Sequence, residues 1–178
     1  MPRRAPTGPT APGCGRLPKM SDHNIFETTS WERELGPARG TRLGPAAGSS
    51  ALGCSLFELD PGGQAVPYHA HHGNEELLIV LDGDLELRTP EGTGTVGRGA
   101  VVGFPAGPAG AHRLRNASTA KAPYLMISTM RFPEVAEQLD TGTILAMAGP
   151  GEGWAFPAGA AGDYMALTRE AIKADPGR

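Results

Sequence analysis

The sequence predicts an all-β fold, a small sandwich or barrel with few short helices. Three observations carry this. Apolar runs are short, roughly four to nine residues, and several alternate with polar residues. Gly, Pro, Asp and Asn separate them at close intervals. Segments with helical periodicity are scarce.

The strands are justified in order. "ALGCSLFEL" (51–59) alternates loosely and stops at the turn signal "DPGG". "ELLIVL" (76–81) is too short for a buried helix and ends at Asp82-Gly83, a good hairpin turn. "DLELR" (84–88) alternates apolar and charged residues, as a half-buried strand does. "GTVGRGAVVGFPAG" (94–107) reads as strand, turn and strand. "AHRLRN" (111–116) alternates again, and "APYLMISTM" (122–130) is a longer run of β formers. "FPEVAEQL" (132–139) fits a helix opened by Pro133 or an extended segment. "TGTILAMAG" (141–149) reads as an edge strand, "GPGEGWAFPAGAAG" (150–163) as a loop, and "TREAIKAD" (168–175) as a short, fraying helix from Thr168.

With 178 residues, the chain suffices for one domain with a real core. Residues 1–20 are rich in Pro and Gly and nearly free of large apolar residues, which predicts a disordered tail. Met20 is then a candidate start of the functional chain. The expected domain covers 21–165, followed by a frayed tail at 166–178. No apolar run follows Arg3 and Arg4, so no secretory signal is expected. Cys14 and Cys54 form no CxxC pair and read as free thiols in a reducing, cytoplasmic setting.

Sixteen basic and nineteen acidic residues give a formal charge of −3, without the basic footprint of a nucleic-acid binder. No stretch reaches the ~18 consecutive apolar residues of a membrane span. The expected partners are therefore a small molecule and a second copy of the chain, with no nucleic acid and no membrane.

Candidate chemistry is concentrated in "PYHAHHGNEELLIVLDG" (67–83). On a strand, His69 and His71 point to one side and His72 to the other. Two imidazoles presented together suit a metal ion, and either Glu75 or Glu76 can supply a carboxylate from the next strand. The same pattern occurs on wet turns that bind nothing. His112, after a Gly/Pro loop, is the further candidate, and four of the five histidines fall in these two places. Imidazole with carboxylate suits one divalent transition metal ion: Fe, Mn, Ni, Co, Cu or Zn.

These residues resemble the two motifs of the cupin family. Gly63, five residues, His69-Ala70-His71, four residues, Glu76, six residues and Gly83 fill the first motif. Gly99, five residues, Pro105-Ala106-Gly107, His112, three residues and Asn116 fit the second. Four residues rather than two separate Gly107 from His112, a longer hairpin turn that bears on the orientation of His112.

The resemblance implies an antiparallel β-barrel, the double-stranded β-helix or jelly roll, with a metal inside. It makes His69, His71, Glu76 and His112 the metal ligands and leaves Glu75 facing away. It further implies inward wall positions such as Phe57, Leu78 and Met126, and a homodimer with its interface within residues 30–60. Cupins include oxygenases, isomerases, decarboxylases and non-enzymatic binders. The expected function is a metal-dependent, dioxygenase-type oxidoreductase acting on a small organic molecule. The alternatives are isomerase-type chemistry and a non-catalytic sensing or structural cupin.

Four further features need placing. Trp31 reads as an anchor for an N-terminal segment, and Trp154 with Phe156 as an anchored loop or a cap on the barrel mouth. "GTGTVG" (92–97) matches the dinucleotide fingerprint but lacks its βαβ context, and reads as a glycine-rich turn. "NAS" (116–118) is a glycosylation sequon without a secretion signal.

Overall fold

The computed structural model describes residues 24–27 and 30–174. The expected tail at 1–20, with Cys14 and Met20, lies outside them. Thirteen strands dominate the described residues: β1 (Arg33–Glu34), β2 (Ala38–Arg42), β3 (Leu52–Leu59), β4 (His69–His71), β5 (Glu76–Val80), β6 (Asp84–Thr89), β7 (Gly92–Gly97), β8 (Val101–Phe104), β9 (Arg113–Arg115), β10 (Ala122–Thr129), β11 (Glu134–Gln138), β12 (Thr143–Gly149) and β13 (Glu152–Pro157). The helices are a single turn, α1 (Leu43–Ala46), and the C-terminal α2 (Tyr164–Ala174). No helix among the described residues is long and apolar enough to cross a membrane.

All strand pairs are antiparallel, in sheets of order β1-β2-β3-β10-β5-β8, β13-β12-β11-β4 and β7-β6-β9. An isolated antiparallel bridge between His69 and His112 joins the last two. Its two backbone bonds, His69 N–H to His112 O at 3.1 Å and His112 N–H to His69 O at 2.9 Å, make them nearly one surface. The six-stranded sheet packs against it. Leu59, Leu78, Val80 and Tyr124 come from one side of the core and Leu85, Leu87 and Leu114 from the other. This is the expected jelly-roll arrangement.

Strand parity sorts the side chains of the six-stranded sheet. Leu78 and Val80 on β5, with Tyr124 on β10, enter the core, while Leu77 and Val101 stand exposed on the opposite face. Asp82-Gly83 ends β5, but the expected hairpin is not formed, because β6 pairs with β7 and β9 in another sheet. Gly83 has φ +75°, and a Cβ there would sit 3.2 Å from Ala122 Cβ, so both backbone and packing require glycine.

One open expectation is resolved and five are corrected. The 132–139 segment, left open between helix and strand, is extended: Glu134–Gln138 pairs with both β4 and β12. Strand β12 is internal rather than an edge. Its outer neighbour is β13, which comes from the segment read as a loop and turns back at Gly151. "GTGTVG" is itself a strand, β7, fully paired with β6. Trp154 therefore lies on an edge strand at 68% exposure and does not cap a barrel mouth. Helix α2 begins four residues before Thr168, where Asp163 Oδ1 accepts the Ala166 N–H at 2.7 Å, a helix cap.

The sequon residue Asn116 is fully buried. Its Nδ2 donates to the carbonyls of Leu59 (2.9 Å) and Ala120 (2.7 Å), so it ties the end of β3 to the loop before β10. Its role is structural. Replacing Asn116 with Ala removes both bonds and strands the buried Leu59 carbonyl, and we expect a loss of about 1–3 kcal/mol, read as a lower urea midpoint at unchanged slope.

Candidate metal centre

The site is assembled by strand parity and one backbone bridge. His69 and His71 lie on the same face of β4, Glu76 opens β5, and the His69–His112 bridge sets the third imidazole beside the first. The two extra residues before His112 are absorbed in a short 3-10 turn, Pro108–Gly110, upstream of that bridge. Phe104 stacks on the His112 ring at 3.8 Å between centroids and 9° between planes, which holds it in place. The Nε2 atoms of all three histidines thus lie within 3.9 Å of Glu76 Oε2.

Glu76 Oε2 is the centre of the cluster. The Nε2 atoms of His112, His71 and His69 lie 3.3, 3.6 and 3.9 Å from it. The ligating atoms of His69, His71 and Glu76 all fall within 4.8 Å of one another. Metal–nitrogen and metal–oxygen bonds of about 2.0–2.2 Å put ligand atoms roughly 3–4 Å apart around one ion. The spacing fits an ion among them.

The hydrogen-bond chemistry makes the same point. Each Nδ1 faces an acceptor: the carbonyl of Pro67 for His69 (2.9 Å), that of Gly110 for His112 (2.9 Å), and Glu134 Oε1 for His71 (3.2 Å). With the proton on each Nδ1, the form these acceptors favour, the three Nε2 lone pairs aim inward. Glu76 Oε2 is buried and has no hydrogen-bond partner. Four acceptors converge with no donor among them, an arrangement that a cation reconciles. His69, His71 and Glu76 could hold a metal ion, with His112 placed to join them.

Electrostatics follow from burial. His69 is pushed down to about 3 and His112 to about 4, first by desolvation, with further lowering from neighbouring imidazoles. Desolvation raises Glu76, the His71 ring opposes that rise, and the charge of Glu134 adds to it. His72 and Glu75 point elsewhere, as expected: His72 Nε2 meets Glu137 Oε1 at 3.1 Å, and Glu75 is exposed.

Above the cluster is a cavity of about 380 Å³. Phe57 and Met126 line it, as expected, with Leu114, Leu145 and Met147. Leu78 does not line it, because it is packed at 0% exposure in the core behind β5. Sequence reasoning missed Glu134, Phe104 and the cavity residues of β12, since each depends on strand pairing that no local pattern states.

A family profile, the cupin domain, matches residues 55–128. This stretch is a cupin domain. Among solved structures, the cupin resembles a sugar phosphate isomerase of the cupin superfamily from Silicibacter pomeroyi DSS-3 (TM-score 0.65, 28% identity, 70% of this chain and 79% of that one). It also resembles a proposed sugar phosphate isomerase from Acidithiobacillus ferrooxidans (TM-score 0.65, 27% identity, 71% and 80%). The polyketide cyclase RemF from Streptomyces resistomycificus shares the fold (TM-score 0.53, 23% identity, 65% and 83%). No curated protein matches this cupin in sequence.

The lowered histidines set the acid response of the metal-free cupin. Between about pH 6.5 and the folded values near 4 and 3, the unfolded chain binds protons that His69 and His112 refuse. Stability is therefore present above that window and lost as pH falls through it. The raised Glu76 works in the opposite sense above its unfolded value, one group against two. In chelator-treated protein we expect the urea midpoint to drop on acidification, and His69→Gln to flatten the drop.

Proposed function

We propose that this cupin is a metal-dependent enzyme of the dioxygenase type, acting on a small organic molecule with an apolar body and two adjacent oxygen atoms. The observation that carries the reading is the convergence of three Nε2 atoms on the unpartnered Glu76 oxygen at the floor of an apolar cavity. His69, His71, His112 and Glu76 hold one divalent transition metal ion, with Fe, Mn, Ni, Co, Cu and Zn all suited to the donor set. A metal ion held by these residues would supply Lewis acidity and, if redox-active, dioxygen activation.

The chain's own residues supply shape and dryness. Phe57, Met126, Leu145 and Met147 exclude water and hold an apolar body against the cluster. Apart from the four ligand candidates, the titratable groups lining the cavity are Tyr124 and Arg33. Burial pushes the Tyr124 phenol far above its ordinary value, which keeps it protonated. A reaction that moves protons between carbons needs a base free of the ion, and this lining offers none.

A second reading is a sugar phosphate isomerase. The two relatives described that way favour it, as does Arg33, an exposed cation on the cavity lining that can take a phosphate. Dioxygen uptake with catechols and β-diketones, run beside aldose–ketose interconversion of sugar phosphates, separates the two. Interconversion without uptake overturns the first reading.

The metal assignment has its own test. Protein purified without a histidine tag should carry one ion per chain, and His69→Ala or Glu76→Gln should lose it while circular dichroism stays unchanged. Full metal content in His69→Ala sinks the ligand assignment.

We also infer a homodimer. The outer face of the six-stranded sheet leaves Leu52 exposed, within the 30–60 interface expected from the sequence, and Leu77 and Val101 outside that range, beside a depression of about 500 Å³. The edge strands of that sheet need covering as well. Light scattering at micromolar concentration should give twice the chain mass, and Val101→Glu should halve it.

A further inference from the structure

We propose that Glu134 is a positioning residue for the metal centre: its carboxylate fixes the tautomer of His71 and the aim of its Nε2. The consequence for metal affinity rests on the metal reading above, whereas the tautomer stands without it.

The backbone explains why His71 needs this help. His69 and His112 each park Nδ1 on the carbonyl two residues earlier, Pro67 and Gly110. For His71 the equivalent carbonyl is that of His69, which already accepts the His112 N–H in the bridge. The acceptor for His71 comes instead from β11, sixty-three residues away. It is a carboxylate, not a neutral carbonyl.

Glu134 is built in rather than solvated. It is 2% exposed, and both of its oxygens are engaged. Oε1 faces His71 Nδ1 at 3.2 Å, and Oε2 accepts from Gly73 N–H (3.1 Å) and Asn74 Nδ2 (2.5 Å). Asn74 is itself buried and locked, since Nδ2 also donates to Arg131 O (3.0 Å) and Oδ1 accepts from Arg131 N–H (2.8 Å) and the Thr129 hydroxyl (3.0 Å). A Cβ on Gly73 would lie 2.6 Å from Glu134 Oε2, so position 73 is shaped around the carboxylate. A buried anion with three donors has one fixed pose.

Charge gives that pose a further consequence. Glu76 and Glu134 flank the His71 ring, 3.6 Å from Nε2 and 3.2 Å from Nδ1. With three neutral imidazoles and both carboxylates ionised, two negative charges would balance a divalent ion there.

The first test needs no variant. Long-range nitrogen–proton NMR on metal-free wild-type protein, above neutral pH, should show His71 protonated at Nδ1, and an Nε2–H tautomer overturns the proposal. The second is cobalt(II) titration. Glu134→Gln should bind about 10–100-fold more weakly and shift the visible cobalt bands. In a His71→Ala background the same substitution should cost about twofold at most, and an equal loss in both backgrounds overturns the proposal. If Glu134→Gln does not fold, Gly73→Ala displaces the carboxylate with its charge intact and should weaken cobalt binding in the same direction. Wild-type affinity in that variant counts against the proposal. A protein with the Nδ1–H tautomer that binds no cobalt refutes the metal reading and leaves the tautomer assignment standing.

Discussion

Four acceptor atoms face one another at the centre of this molecule, and the rest of the site is arranged so that they must. Three Nε2 atoms lie 3.3–3.9 Å from the unpartnered Glu76 oxygen. Left to themselves, the imidazoles would flip a ring or move a proton to Nε2 and hydrogen-bond the carboxylate. The Nδ1 acceptors oppose this, because each flip or transfer leaves a carbonyl or carboxylate without its donor. The convergence is thus enforced from outside the cluster. The His69–His112 bridge does the same for the backbone, fixing two of the rings relative to each other before any ion arrives.

The fold serves that constraint through parity. Alternation on β4 and β5 delivers His69, His71 and Glu76 inward and sends His72 and Glu75 out. The core behind the site is packed by Leu59, Leu78 and Leu85, none of them measurably exposed, so the strands that carry ligands have little freedom to shift. On the cavity side the lining is softer. Met126 and Met147 are flexible, polarisable side chains that adapt to a bound shape, which places selectivity in residues that touch no ligand atom of the cluster.

What could be read in the amino-acid order follows this division. His69 and His71 were legible as a pair from strand parity, whereas the resemblance to the cupin motifs, with their spacing to Gly83 and Asn116, singled out Glu76 and His112. Strand β13 was not, because "EGWAFP" sits among glycines and prolines and its extended form depends on β12 beside it. The start of α2 had a local signal in Asp163, outweighed by the glycine-rich stretch before it. Glu134 had none. It is one of nineteen acidic residues, and only the pairing of β11 with β4 brings it to His71.

That pairing bears on how the two carboxylates divide their work. Glu76 is raised by burial and faces the imidazoles directly, so a proton and a cation compete for the same oxygen. Glu134 has its two oxygens committed to three N–H donors and the position of its charge fixed. A site with two interchangeable carboxylates could relax by passing a proton between them. Here the His71 ring stands between them, with Nε2 turned to one and Nδ1 to the other. The Glu134 carboxylate is thereby held on the far side of one imidazole from Glu76. On the metal reading, His71 is the ligand through which the outer sheet's geometry reaches the ion.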